Sequence, residues 1–178
     1  MDILPHLEKD PVLEILIPAP EYVSLTQDIS RQLSTKRVCY VTLNKTAASL
    51  AESLKHNQVN LENIFFVDAI SKTFTNNPPS SPLIAYADSP GNFDSLNKVL
   101  DMTLPQKFDF LIFDSVTNVL VYRDIPSTVQ FLSSLVRRIR EHSTKAVFFT
   151  LQIDKHQELI QESYMFMDRV VDMGHWSG

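Results

Sequence analysis

The chain has 178 residues, of which 44% are hydrophobic and 21% are charged, and its formal net charge is −5. A chain of this length and composition is typical of one globular domain with a single core. The acidic charge argues against general binding to nucleic acid or to anionic membranes, because both attract proteins through a positive field.

The first half of the chain alternates short apolar runs with amphipathic segments. Residues 1–11 are predicted to form an N-terminal arm that Pro5 and Pro11 interrupt. The elements that we predict next are a strand at 12–17, a helix at 21–33, a strand at 37–43, a helix at 45–56 and a strand at 63–70. Asn44 is the predicted N-cap of the second helix. A polar loop with three prolines is predicted at 71–82.

The second half continues the same alternation. The predicted elements are a strand at 83–87, a helix at 93–102, a strand at 108–115, a helix at 125–142, a strand at 145–151, a helix that ends near 167 and a strand at 169–173. Asn92, Asp124 and Asp154 are the predicted N-caps of the three helices. Residues 174–178 are predicted to be a tail.

The predicted strand at 108–115 indicates the architecture. Five of its first six residues are apolar, so it has no polar face and is expected to be covered on both sides. Strands that alternate with helices are joined by right-handed crossovers. We therefore predict one α/β domain over residues 12–173, with three layers and a largely parallel sheet. Asp114 ends the central strand at the carboxyl edge, where open α/β sheets place their ligand sites.

Four features carry a family resemblance, and the first is the strand, loop and helix that open the chain. The second strand, VCYVTLN, leads into a helix that begins KTAASLAESL, and the third strand, IFFVDAI, ends near an aspartate. The central strand and its continuation, LIFDSVTNVLVYRD, have the Walker B shape of apolar residues, an aspartate and a serine. Over residues 12–173 this order resembles the RecA superfamily, in particular the KaiC-like and RadA-like proteins of archaea. The resemblance implies a P-loop NTPase/RecA-like core, side-by-side assembly and Asp114 as a magnesium ligand.

The phosphate loop of that family, G-x-x-x-x-G-K-[ST], would lie between the first strand and the first helix. Residues 17–27 read IPAPEYVSLTQ at this place. The two prolines have no N–H group to offer a phosphate, and Leu25 stands where the lysine would be. Only Thr26 matches, at the place of the metal-binding hydroxyl. The segment Leu43-Asn44-Lys45 also lacks the glutamate that activates water in the family.

The candidate nucleotide-site residues also have structural interpretations. Asp114 is more simply explained by hydrogen bonds to the turn that contains Ser115 and Thr117. The hydroxyl of Thr26 is expected to bond the preceding helical turn. We therefore predict no catalytic residue and a nucleotide-binding remnant limited to Thr26, Asp114 and Ser115. No metal ligand is predicted, unless a magnesium nucleotide binds at Asp114.

The remaining candidates are weaker. Asp68 and Asp88 could join Asp114 at the carboxyl edge, but the ends of strands often carry solvated aspartates. Three arginines suit the C-terminal half of their helix better than they suit a partner or an acidic ligand: Arg137, Arg138 and Arg140. Cys39 lies inside a strand with no histidine near it in sequence, so it is not expected to be a nucleophile.

These features predict a non-catalytic RecA/KaiC-like domain, a pseudo-ATPase without a cofactor that acts as a regulatory or protein-interaction module in signalling. Its partner would be a second copy, in a homo-oligomer, or an active RecA-like relative. One alternative is an unconventional nucleotide-binding protein or ATPase that holds ATP and magnesium at the carboxyl edge. Another is an accessory factor in DNA recombination or repair, which the acidic charge disfavours. The single cysteine and the absence of a signal peptide or long apolar stretch predict a cytoplasmic protein without membrane contact.

Overall fold

The computed structural model describes residues 2–153 and 157–175. These residues contain one parallel sheet of seven strands in the order β4-β3-β2-β5-β6-β1-β7. The strands are β1 Val12–Ile17, β2 Val38–Thr42, β3 Ile64–Asp68, β4 Ile84–Tyr86, β5 Phe110–Asp114, β6 Lys145–Leu151 and β7 Arg169–Asp172. β5 is the fourth of the seven strands, which confirms the prediction that it is central.

Helices cover both faces of the sheet. They are α1 Leu4–Lys9, α2 Tyr22–Leu33, α3 Ala47–His56, α4 Phe93–Thr103, α5 Val116–Val119, α6 Ile125–Glu141 and α7 Gln157–Ser163. Buried side chains of α1, α2 and α3 share one hydrophobic cluster, and those of α4 to α7 share the other. The predicted three-layer α/β architecture is therefore confirmed.

The alternation of side chains along β5 explains the two clusters. Phe110 and Ile112 belong to the cluster under α1, α2 and α3, whereas Leu111 and Phe113 belong to the other. All five residues of β5 are buried. Because successive side chains of a strand point to opposite faces, a strand covered on both faces must be apolar at nearly every position.

The helix starts follow local capping chemistry. The carboxylate of Asp124 accepts a hydrogen bond from the backbone N–H of Ser127 at 2.9 Å, and Asn92 caps α4 in the same way. The predicted cap of α3 is wrong. Thr46, not Asn44, accepts the bond from the N–H of Ser49, because the side chain of Asn44 is directed elsewhere.

The N-terminal arm contains a helix that the sequence reasoning missed. Pro5 lies in the first turn of α1, where a missing N–H breaks no helical hydrogen bond, so it starts the helix instead of interrupting it. Ile3 and Leu7 are fully buried under the sheet. The predicted cap Asp154 and residues 176–178 of the predicted tail lie outside the described residues, and α7 ends at Ser163.

Glu14 is a buried acid inside β1, in a run that the sequence presents as almost wholly apolar. Its carboxylate accepts hydrogen bonds from the hydroxyls of Thr150 on β6 and Ser163 on α7. Burial raises the pKa of Glu14 above its ordinary value, and the two hydroxyls oppose this rise only in part. The Glu14 side chain therefore links β1 and β6 to α7. The burial of its charged form, however, lowers the stability of the fold.

We expect Leu7→Ala to lower the free energy of unfolding by about 2–5 kcal/mol, because it leaves a cavity under the sheet. Met102→Ala on the exposed side of α4 is the matched control and should change it by less than about 0.5 kcal/mol. Urea denaturation of both variants measures the difference. Equal, small effects would mean that α1 is not part of the core.

We expect Glu14→Gln to stabilise the protein at neutral pH. The unfolded chain loses its Glu14 proton near pH 4.5, whereas the folded chain holds it to a higher pH, so wild-type stability falls as pH rises above 4.5. The variant has no titrating carboxyl at this position, so its gain in stability over the wild type should grow from pH 4.5 upward. Urea midpoints measured across this range test the trend, with the exposed Glu52→Gln as control. An advantage that is constant with pH would contradict it.

Candidate functional site

The candidate site lies at the carboxyl edge of the sheet, where β2 and β5 end side by side. Asp114 is the last residue of β5 and pairs in register with Thr42, the last residue of β2. The side chain of Asp114 points towards α2 and α3, because its donors come from α2, from β2 and from the segment that leads to α3. Only 4% of Asp114 is exposed.

Three side chains donate hydrogen bonds to the Asp114 carboxylate. The Tyr22 hydroxyl lies 2.6 Å from Oδ1, and the Tyr40 hydroxyl lies 2.8 Å from Oδ2. The amide Nδ2 of Asn44 donates to Oδ1 at 3.1 Å. We call Asp114, Tyr22, Tyr40 and Asn44 the tyrosine–aspartate cluster. Both carboxylate oxygens therefore have donors within the chain.

This arrangement corrects the prediction that Asp114 bonds the turn after its strand. The turn is held by Ser115 instead, whose Oγ accepts the N–H of Asn118 and lies 3.0 Å from the hydroxyl of Thr117. The hydroxyl of Thr117 in turn accepts the N–H of Leu151. Asp114 and Ser115 are joined by a cis peptide bond.

Burial and hydrogen bonding shift the pKa of Asp114 in opposite directions. Burial raises the pKa of Asp114 above its ordinary value, and the hydroxyls of Tyr22 and Tyr40, with the charge of Lys45, act against this rise. Burial and the nearby carboxylate also raise the pKa of both tyrosines. The tyrosines therefore stay protonated and keep donating to Asp114.

The connection between β1 and α2 lies next to this cluster. It is four residues long, from Pro18 to Glu21, and forms a tight 3₁₀ turn closed by the N–H of Glu21 on the carbonyl of Pro18. Two of the four residues are prolines and lack an N–H. A phosphate loop is longer and directs successive N–H groups at the phosphates.

Thr26 lies in the body of α2, because the helix begins four residues earlier at Tyr22. Its hydroxyl is buried and donates to the carbonyl of Val23 at 3.2 Å. Leu25, which stands where the lysine of the phosphate loop would be, packs against the core beneath α2. The structure brings Thr26 and Asp114 to the rim of one cavity but forms no direct bond between them.

That cavity is small. It measures about 60 Å³ and lies between α2, α3 and the tyrosine–aspartate cluster. Pockets that hold drug-sized ligands usually measure roughly 300–1,000 Å³. The side chain of Tyr22 lines the cavity and reaches Asp114 across it.

The other predicted aspartates do not join the site. Asp68 aligns with Thr42 from the opposite side of β2, and its carboxylate accepts the N–H groups of Ala47, Ile70 and Ser71. It therefore fixes the start of α3 and the turn after β3. Asp88 is exposed and pairs with Lys72 at 3.0 Å.

The arginines and the cysteine have structural roles. Each arginine forms an ion pair within the chain: Arg137 with Glu141, Arg138 with Asp101 and Arg140 with Asp168. Burial raises the pKa of Cys39 to about 12, so its thiol is a poor nucleophile at neutral pH. Within residues 2–153 and 157–175, no group of three histidine, cysteine or acidic side chains could hold a metal ion. None of the described helices has the length and apolarity that a membrane span requires.

Comparison with protein-family models and with curated protein sequences gave no match. Among solved structures, the chain is similar to a KaiC-like protein from the hyperthermophilic archaeon Pyrococcus horikoshii OT3, with a TM-score of 0.59 and 14% identity. The chain has a RecA-like fold. The similarity covers 80% of this chain and 64% of the archaeal one, so it spans less than two thirds of that protein. Identity this low shows the RecA-like fold and not the activity.

Sequence reasoning missed the donors of the cluster. Tyr40 pairs with Ile112, which lies two residues before Asp114 in β5. Residues two apart in a strand share a face, so Tyr40 and Asp114 lie on the same face of the sheet. That signal was present in the sequence. The position of Tyr22 was not, because it depends on α2 beginning directly after a short turn.

We expect Tyr22→Phe to lower the free energy of unfolding by about 1.5–3 kcal/mol at pH 7, because it removes a hydrogen bond to a buried carboxylate. The effect should shrink at acidic pH, where Asp114 becomes protonated. Tyr86→Phe is the control, since its hydroxyl bonds the carbonyl of Pro79 in an exposed loop. If both variants show an equally small loss in free energy of unfolding at pH 7, the Tyr22–Asp114 bond does not stabilise the site.

Proposed function

We propose that this chain is a non-catalytic RecA-like domain, a pseudo-ATPase that acts as a regulatory or protein-interaction module in signalling. One observation carries the proposal. The Tyr22 hydroxyl lies 2.6 Å from Oδ1 of Asp114, so a side chain of the protein engages the carboxylate that would face magnesium in a Walker B strand. In this proposal, the side chain of Tyr22 fills the place that a nucleotide would occupy.

The residues of the site do not fit a magnesium ion. Magnesium requires near-octahedral oxygen ligands at about 2.0–2.1 Å. Both oxygens of Asp114 already accept hydrogen bonds from Tyr22, Tyr40 and Asn44. An ionised carboxylate has about four acceptor sites, so these three donors leave at most one of them for a metal ion.

The residues do not fit a triphosphate either. Pro18 and Pro20 offer no N–H groups, and Glu21 adds a negative charge to the same turn. The N-terminal end of α2 carries about half a positive charge, which is too little to balance three phosphates. We therefore assign the chain no ATP-dependent step.

A role in protein interaction is supported by what the fold retains. The three layers of the fold and their two hydrophobic cores are complete. Large apolar side chains are exposed near the carboxyl edge and beside the last helix, among them Val121, Tyr122 and Met165. Exposed apolar surface of this kind often marks contact with another protein. We propose that the partner is a second copy or an active RecA-like protein.

A role in DNA recombination or repair has less support. The net charge is −5, and the arginines of α6 are occupied by ion pairs within the chain. Binding to the phosphate backbone requires several free lysines or arginines on one surface.

Isothermal titration of the protein with ATP and magnesium tests the proposal. We expect no heat above the dilution background for the wild type, while an active RecA-like ATPase measured in parallel should bind. Tyr22→Ala opens the space beside Asp114 but restores neither lysine nor glycines, so it should also fail to bind. Saturable micromolar binding that Asp114→Ala abolishes would overturn the proposal.

A further inference from the structure

A groove runs between α6 and α7 on the face of the sheet opposite the tyrosine–aspartate cluster. Its volume is about 500 Å³, which suits side chains of another molecule. The apolar part of its lining is formed by Ile125, Pro126, Val129, Met165 and Phe166. Met165 is 81% exposed, which is unusual for a large apolar side chain that borders other apolar groups. We call this feature the α6–α7 groove.

The rim of the α6–α7 groove is acidic. Glu158 and Glu162 both line it and lie four residues apart, on one face of α7. Across residues 2–153 and 157–175, neither carboxylate lies within 4.0 Å of a lysine or arginine nitrogen. Like charges at this spacing disfavour a helix. A positively charged partner would relieve that repulsion.

The arginines of α6 that lie nearest the groove do not neutralise the carboxylates of its rim. Arg137 pairs with Glu141, and Arg140 pairs with Asp168 at 2.9 Å and donates to the carbonyl of Phe166. The last of these contacts holds the end of the groove in place without neutralising its carboxylates. Neither arginine therefore neutralises the rim, and a basic partner would complement its charge.

The α7 wall of the groove is anchored to the core of the protein. Leu159 of α7 is fully buried, and Ser163 at the end of α7 donates to the buried carboxylate of Glu14. A preformed wall reduces the entropy that is lost on binding. Grooves of this kind accept an amphipathic helix through apolar anchors at positions i, i+3, i+4 and i+7.

We propose that the α6–α7 groove docks a basic amphipathic helix of a partner protein. The apolar face of that helix packs on Ile125, Val129 and Met165, and its lysines or arginines face Glu158 and Glu162. The inference builds on the proposed role in protein interaction and names the chemistry of the partner. The titration with ATP does not involve this groove, so the two proposals can fail separately.

Two designed helical peptides of about 16 residues test the groove. They share leucines at i, i+3, i+4 and i+7, and their flanking positions are lysine in one and glutamate in the other. Fluorescence anisotropy measures the binding of each to the full chain. We expect the lysine peptide to bind at least about tenfold more tightly than the glutamate peptide, and more weakly as salt is added.

A charge-reversed variant, Glu158→Lys with Glu162→Lys, should invert this preference, while Glu52→Lys on α3 should leave it unchanged. Circular dichroism checks that each variant is folded. If the reversed variant does not fold, the comparison of the two peptides on the wild type still decides. Equal binding of both peptides, or binding of neither, would overturn the proposal. Light scattering that shows a dimer lost only in the reversed variant would assign the groove to a second copy and overturn the choice of partner.

Discussion

A carboxylate that is removed from water must find its hydrogen-bond donors within the protein, and Asp114 finds three. Leaving a buried charge without donors would cost several kcal/mol, more than one ordinary hydrogen bond contributes. The donors come from α2, from β2 and from the segment before α3. The positions of these elements relative to β5 therefore depend on the hydrogen bonds that they supply to the Asp114 carboxylate.

The same constraint shapes the neighbouring chain. Asn44 is used for Asp114, so it is not available to α3, and the cap passes to Thr46 two residues later. Asp68 completes that helix start from the next strand by accepting the N–H of Ala47. Because the turn before α2 is short, Tyr22 is the first residue of the helix, and from there its ring reaches the sheet. A longer and more mobile loop would not hold the hydroxyl at Asp114.

Much of the fold could be predicted because it depends on local patterns. The apolar run of β5 and the caps Asn92 and Asp124 follow from neighbouring residues alone, and the structure confirms them. Contacts between distant segments could not be predicted in this way. Glu14 lies in an apolar run, and nothing near it in sequence indicates that Thr150 and Ser163 would receive its carboxylate. The same holds for Tyr22 and Asp114, which are 92 residues apart.

The order of the strands has a consequence for how the chain assembles. β1 lies between β6 and β7 and pairs with no strand that precedes them, so Val12 meets its neighbour Ala146 only after most of the chain exists. Contacts between residues so distant in sequence slow folding, because a long loop must close before they form. During synthesis, the first strand to leave the ribosome must wait for the last third of the polypeptide. Until then β1 has no strand partner, and the sheet can begin to form only from β2, β3, β4 and β5.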